Sequence, residues 1–193
     1  LFENNGVIKR ESVNKIIKNI SKEDRVKLRK TGIKIGRYHI FLPKMLKPSA
    51  VNLRVKLWKL FFEEDKRNIV PKFGLNFLKN ESNKNQKFLL ICGFENFDKF
   101  YVRVDILERF FLKIMENTKE NIFKIDSNMI NLIGCSKENF FKLLDLMHYK
   151  RKKIGDGKED FFQYMPKYVK GKKPKKRSNK DSPFGKLSEI RFR

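Results

Sequence analysis

Along Ser12 to Lys30 the apolar positions Val13, Ile16, Ile17 and Ile20 recur at helical spacing, which predicts a helix with one buried face. Ser21 ahead of Lys22-Glu23-Asp24 predicts the cap of a second, short helix carrying Val26 and Leu28, and Thr31-Gly32 predicts its stop. The period then changes to two. Ile33 and Ile35 alternate with Lys34 and Gly36, and Tyr38, Ile40 and Leu42 resume the alternation after a shift of phase between Gly36 and Arg37. A strand with a bulge or bend at Gly36 is predicted, because glycine tolerates the backbone angles such a shift needs. Pro43 removes a ladder donor and ends that strand, and Pro48-Ser49 starts a helix. Val51, Val55, Trp58 and Phe62 predict its buried face, with Trp58 read as core. Leu53, Leu57, Leu60 and Phe61 widen the stripe, while Arg54, Lys56 and Lys59 carry charge between them.

Asn80 to Lys87 is polar and reads as an exposed loop. Beyond it, the apolar run Phe88 to Phe94 and the alternating Tyr101 to Val104 predict a hairpin turning at Glu95 to Lys99. Asp105 and Glu108 have the spacing of a capping box, and Leu107, Phe110, Phe111, Ile114 and Met115 form the face of the helix that follows. The same two carboxylates would suit a metal or acid-base chemistry, but the cap uses both and no third ligand is in view. Ser127 to Ile133, Gly134 and Lys137 to Tyr149 predict two helices in a tight hairpin, the second capped by Ser136 and packed through Phe140, Phe141, Leu144 and Met147.

From Lys150 onward the pattern dissolves. An aromatic island of Phe161, Phe162, Tyr164, Tyr168 and Val169 runs into the basic stretch Lys167 to Lys180, which predicts disorder in the free chain. The island has two readings, stacking on bases beside lysine amines or packing back on the body. Asp181 to Phe184, Leu187 and Ile190 read as a short terminal docking element. The predicted fold class is α+β and predominantly helical, with small strand pairs packed on amphipathic helices and a disordered basic C-terminal tail. The predicted organisation is the end of a helical region at 1–30, a mixed α/β accessory domain at 31–125, a helical hairpin at 126–150 and the basic tail at 151–193.

Charge changes the picture most. Forty-six Lys and Arg against 22 Asp and Glu give 193 residues a net charge of +24, which favours a polyanionic partner. Lys, Asn, Ile and Phe are all abundant, a bias that a nucleotide-poor coding background also produces. Residues 150–193 carry a net +11 and the remainder +13, so the body is basic as well as the tail, which suits a long track of phosphate contacts. The candidate nucleic-acid contacts are Lys34, Arg37, His39, Lys44 and Lys47 around the strand, Lys150, Arg151, Lys152 and Lys153, and Lys172, Lys173, Lys175, Lys176 and Arg177 in the tail. A helix-turn-helix reader is disfavoured, because the exposed face of the second helix offers mainly Lys137, Lys142 and Asp145, with Asn139 alone suited to base edges. Cys92 and Cys135 lie in apolar surroundings with only His39 and His148 as further donors, which argues for reduced thiols in the cytoplasm, with no metal site and no disulfide framework. No apolar run approaches the ~18 residues of a membrane span, and Leu1 to Ile20 resembles no signal peptide.

The run Gly32 to Trp58, GIKIGRYHIFLPKMLKPSAVNLRVKLW, resembles the C-terminal part of the superfamily 2 ATP-dependent helicases of alphaproteobacteria, relatives of the mitochondrial RNA helicase that feeds RNA to a degrading nuclease. There a G-[IV]-R-[IV]-G strand leads through an aromatic and apolar segment into L-P-x-L-L-K-P-x-A and a leucine-rich helix with a Trp. YVRVDILERF at Tyr101 to Phe110, LIGCSKENFFKLLDLMHYK at Leu132 to Lys150 and DSPFGKLSEI at Asp181 to Ile190 are similar to family segments in the same order. The resemblance implies a motor driven by ATP and Mg, acting on RNA or DNA, with a nuclease as a further partner. The motor is not in this chain. It has no G-x-x-x-x-G-K-[ST] loop and no D-E-x-H or D-E-x-D box, and GDGKED at Gly155 to Asp160 lacks the first glycine, the spacing and the hydroxyl. The chain begins at Leu1 without Met, so motor domains are expected upstream, and no catalytic residue is assigned within it. The alternative is a free-standing basic RNA-binding protein associated with the ribosome. A third class is attachment of Lys167 to Lys180 to anionic lipid.

Overall fold

The computed structural model describes residues 1, 4–62, 68–79, 86–98, 100–152 and 160–165. Among these, helix outweighs strand and the strands form three small antiparallel sheets, so the α+β, helix-dominated class holds. Each sheet has three strands rather than the expected pair.

The first sheet joins β1 (Val7–Lys9), β2 (Lys34–Ile35) and β3 (His39–Phe41) in the order β1-β3-β2, so residues 7–9 pair with residues 39–41 across the boundary expected at 30. Between β1 and β2, a 3-10 turn (Arg10–Val13) leads into α1 (Asn14–Asn19), which ends at Ile20 ahead of the predicted second helix. Ser21 accepts a hydrogen bond from the Asp24 amide at 3.1 Å and caps α2 (Lys22–Lys30), whose acidic first turn and basic last turn complement the helix dipole. Gly32, at φ +88°, then turns the chain into β2.

The phase shift at Gly36 is more than a bend. Ile35 pairs with Ile40 and the Gly36 amide donates to the His39 carbonyl at 2.8 Å, so the run is a hairpin reversing at Arg37-Tyr38. Pro43 opens a 3-10 turn (Pro43–Leu46), and Pro48 opens α3 (Pro48–Phe62). Val51, Val55 and Trp58 are buried as expected, but Phe62, Leu53, Leu57, Leu60 and Phe61 are exposed. Arg54 occupies the buried stripe instead. It donates from Nη1 to the Met45 carbonyl at 2.7 Å and from Nη2 to the Ile91 carbonyl, tying α3 to the turn before it and to α4 (Gln86–Ile91). Burial lowers its pKa, with Cys92 acting the other way.

The run Phe88 to Phe94 is thus helical through Ile91, and the strand begins after Gly93. β4 (Phe77–Lys79), β5 (Phe94–Phe97) and β6 (Phe100–Arg103) form the second sheet in the order β4-β6-β5; β5 and β6 pair as a hairpin, but Glu95, Asn96 and Phe97, expected in its turn, lie in β5. α5 (Val104–Asn117) follows directly. No capping box forms at its start: Asp105 binds Arg103 Nε and Nη2 at 2.6 Å each, and Glu108 points elsewhere.

The third sheet corrects the reading of the C-terminal region. β7 (Ile122–Lys124), β8 (Tyr149–Lys152) and β9 (Phe161–Tyr164) pair in the order β7-β9-β8, which puts residues 161–164, expected in the tail, in the central strand. Phe162 is buried and stacks on Phe141 at 5.8 Å, so this part of the aromatic island packs back on the body. α6 (Ser127–Ile133) ends on Gly134 at φ +74° and α7 (Lys137–Leu146) starts on Ser136, as the sequence predicts. The largest core cluster gathers Phe110 and Ile114 of α5, Met129 and Ile133 of α6, Phe140 and Leu144 of α7, and Phe123 and Phe162 of the third sheet. The expected boundaries at 125 and 150 therefore pass through one packed core.

Candidate nucleic-acid interface

The β2–β3 hairpin owes its shape to a carboxylate remote in sequence. Glu108 on α5 accepts from the Arg37 amide at 2.6 Å and from the Tyr38 and His39 amides at 2.7 Å each. A two-residue reversal leaves such donors without ladder partners, and one buried anion satisfies them. Gly36 is required by the same contact, since a Cβ there would lie 2.3 Å from the Glu108 carboxyl carbon.

His39 sits behind this turn, only 1% exposed. Its Nε2 is 2.7 Å from Glu95 Oε2, and its Nδ1 is 3.7 Å from Glu108 Oε1, beyond hydrogen-bond reach but well within coulombic range. Lys9 closes the chain of charge with Nζ 2.5 Å from Glu95 Oε1. Burial opposes the charged form of all three inner groups. Even so, Glu108 and Glu95 raise the His39 pKa above its ordinary value, His39 and Lys9 lower that of Glu95, and His39 with the three amides lowers that of Glu108. The arrangement is a carboxylate–histidine–carboxylate clamp joining the first sheet to β5 and α5.

This clamp floors a cleft of about 510 Å3. Its rim carries the cations Lys9, Arg10, Lys18 and Arg37 and one exposed carboxylate, Glu11, with aromatic wall from Tyr38, Phe97 and Tyr164. Lys9, Lys18 and Arg37 are exposed; Arg10 is half-buried and is steered by Nη1 donating to the Gly36 carbonyl at 2.7 Å. His148 also lines the cleft, in the left-handed region at φ +68° where α7 passes into β8. A second, smaller cavity of about 280 Å3 lies on the other side of Arg37, Tyr38 and Tyr164, which line both spaces. Its remaining wall is mainly apolar, from Phe111, Ile114, Met115, Phe123 and Tyr149.

Of the residues predicted as nucleic-acid contacts, Arg37 and His39 reach the cleft. His39 does so as a buried strut, with Glu95 occupying the ring edge that a phosphate would need. Lys34 is exposed on β2, and Lys44 and Lys47 are exposed in the turn before α3. Lys150, Arg151 and Lys152 are exposed along β8, an edge strand, with Arg151 ion-paired to Asp160. Lys153, Lys172, Lys173, Lys175, Lys176 and Arg177 lie outside the described residues, as do Tyr168, Val169 and the segment Asp181 to Ile190. Lys9, Arg10 and Lys18 were not predicted; their only sequence signal is Val7-Ile8 ahead of two cations, too short to read as a strand.

The thiols stay protonated under ordinary conditions, burial pushing Cys92 up to about 12 and Cys135 up to about 11. No group of three or more His, Cys, Asp or Glu side chains is arranged to hold a metal ion, and no helix is long and apolar enough to cross a membrane, among the described residues. Comparison with protein-family models, with curated proteins and with solved structures finds no match to this chain.

Proposed function

We propose that this chain is a nucleic-acid-binding accessory region of an ATP-dependent helicase, gripping a strand of RNA or DNA while motor domains elsewhere in the same protein supply ATP and Mg chemistry. The observation that carries the binding half is the cleft with four cations on its rim and aromatic side chains in its wall. Mobile side-chain cations neutralise phosphates without reading sequence, and aromatic faces accept any base. The clamp beneath serves the rim by fixing the turn that presents Arg37. The helicase half is supported by the four ordered segments that resemble that family, three of which fall in the elements that build the cleft and its neighbouring core.

The test of binding is a salt titration with a short fluorescent single strand. With Lys9 engaged by Glu95, about three neutralised phosphates give a slope near −2 in log affinity against log salt for a single strand. Lys18→Ala is expected to weaken binding to all sequences alike and to make that slope shallower by about 0.7. Affinity unchanged between low and high salt overturns the binding half. The helicase half is overturned if the complete gene product carries no phosphate-binding loop.

A further inference from the structure

We infer that the 280 Å3 cavity beside the cleft is a seat for one unpaired nucleobase of the strand whose phosphates lie along the basic rim. This rests on the reading of the cleft as a nucleic-acid interface and adds the part of the ligand that the rim leaves unaccounted for. Small-molecule sites run from about 300 to 1,000 Å3, so a cavity of about 280 Å3 suits one flat ring system rather than a larger ligand. Phe111, Phe123, Tyr149 and Ile114 line it, and Met115, 55% exposed, lines it from a position open to solvent.

A nucleotide joins a flat, stackable ring to a phosphate through a sugar. The protein joins the matching surfaces in the same way. Arg37, Tyr38 and Tyr164 line both the cleft and the cavity, so a single layer of side chains separates stacking surface from cationic rim. The Arg37 guanidinium lies 5.9 Å from the Phe111 ring centroid, placing positive charge at that boundary. Two polar groups face the ring's edge. Thr118 donates its hydroxyl proton to the Ile114 carbonyl at 2.6 Å and keeps its lone pairs for a base N–H, and Asn121 offers both an amide donor and an acceptor. An apolar metabolite would leave the rim cations unused, and free phosphate would leave the aromatic wall unused. Paired bases stay stacked within a duplex, so this seat selects single strands or extruded bases.

The experiment compares a short fluorescein-labelled oligothymidylate with a fully abasic strand of equal length and charge, by fluorescence anisotropy at one low salt concentration. Wild-type protein is expected to bind the base-bearing strand roughly 5- to 150-fold more tightly, the range one stacked base supplies. Met115→Trp, which fills the mouth from a half-exposed position, and Phe111→Ala, which removes a wall, are each expected to bring that ratio close to one, with thermal melting confirming that both fold. Equal wild-type affinity for the two strands, with binding still salt-dependent, overturns the base seat and leaves the cleft reading intact. A ratio retained in both variants also overturns it, because the base is then held elsewhere. No binding of either strand removes the cleft reading and this inference together.

Discussion

Gly36 is the residue on which the Glu108-held hairpin turns. In the sequence it marks a change of phase between two alternating runs, and that much is legible. The reason glycine stands there is not local. The space a Cβ would take belongs to the Glu108 carboxylate, 72 positions later, and no periodicity reveals such a pairing. Gly36→Ala is expected to push the carboxylate off the three amides it serves and to cost about 2–3 kcal/mol, read as a shift in the urea midpoint. A stability within about 0.5 kcal/mol of wild type would show that the carboxylate moves aside freely. Glu108 was misread for the same reason. Asp105-x-x-Glu108 has the spacing of a helix cap, but Arg103 captures Asp105 and the unpaired hairpin amides capture Glu108, each a stronger interaction than a cap on an already anchored helix. His39 looked like an exposed contact because it sits between cations in the sequence; its neighbours in space are carboxylates.

The elements that the sequence shows clearly are those stabilised by their own residues. α2 and α7 have serine caps and α6 ends on a left-handed glycine, so local chemistry and final structure agree. Elements were missed where tertiary pairing decided. β1 and β9 are only a few residues long, and each becomes a strand because a distant segment offers it an edge. The cleft inherits that difficulty, since two of its four rim cations lie on or just after β1. On α3, spacing identified the apolar positions but not which of them face inward. Arg54 is buried there because its planar fork reaches two carbonyls that would otherwise lack donors, one on each neighbouring element. Arg54→Ala is expected to cost about 2–4 kcal/mol by chemical denaturation, and Arg54→Lys to recover little, because an ammonium cannot span both acceptors. Full recovery by lysine would mean that charge, rather than the fork, is what the site requires.

For the molecule as a whole, the buried clamp sets a pH window. The folded state raises the His39 pKa above 6.5, so its contribution is complete below 6.5 and is lost as pH rises through the raised folded value. Glu95 and Glu108 are held below 4.5, so their contributions are complete above 4.5 and are lost as pH falls through the lowered folded values. Stability is therefore expected to peak between about pH 4.5 and 6.5 and to decline on both sides. His39→Gln should lower the melting temperature within that window and flatten the alkaline limb. A wild-type melting temperature constant from about pH 6 to pH 9 would mean that His39 holds no proton that folding depends on.

The Glu108-held hairpin also has a consequence in time. Arg37, Tyr38 and His39 precede their acceptor by 69 to 71 residues. At about 5–20 residues per second, a ribosome releases those amides roughly 4–14 s before the carboxylate that shapes them has been made. The hairpin thus takes its final shape only after α5 has been made, when Glu108 arrives to close a turn that its own residues could only leave open.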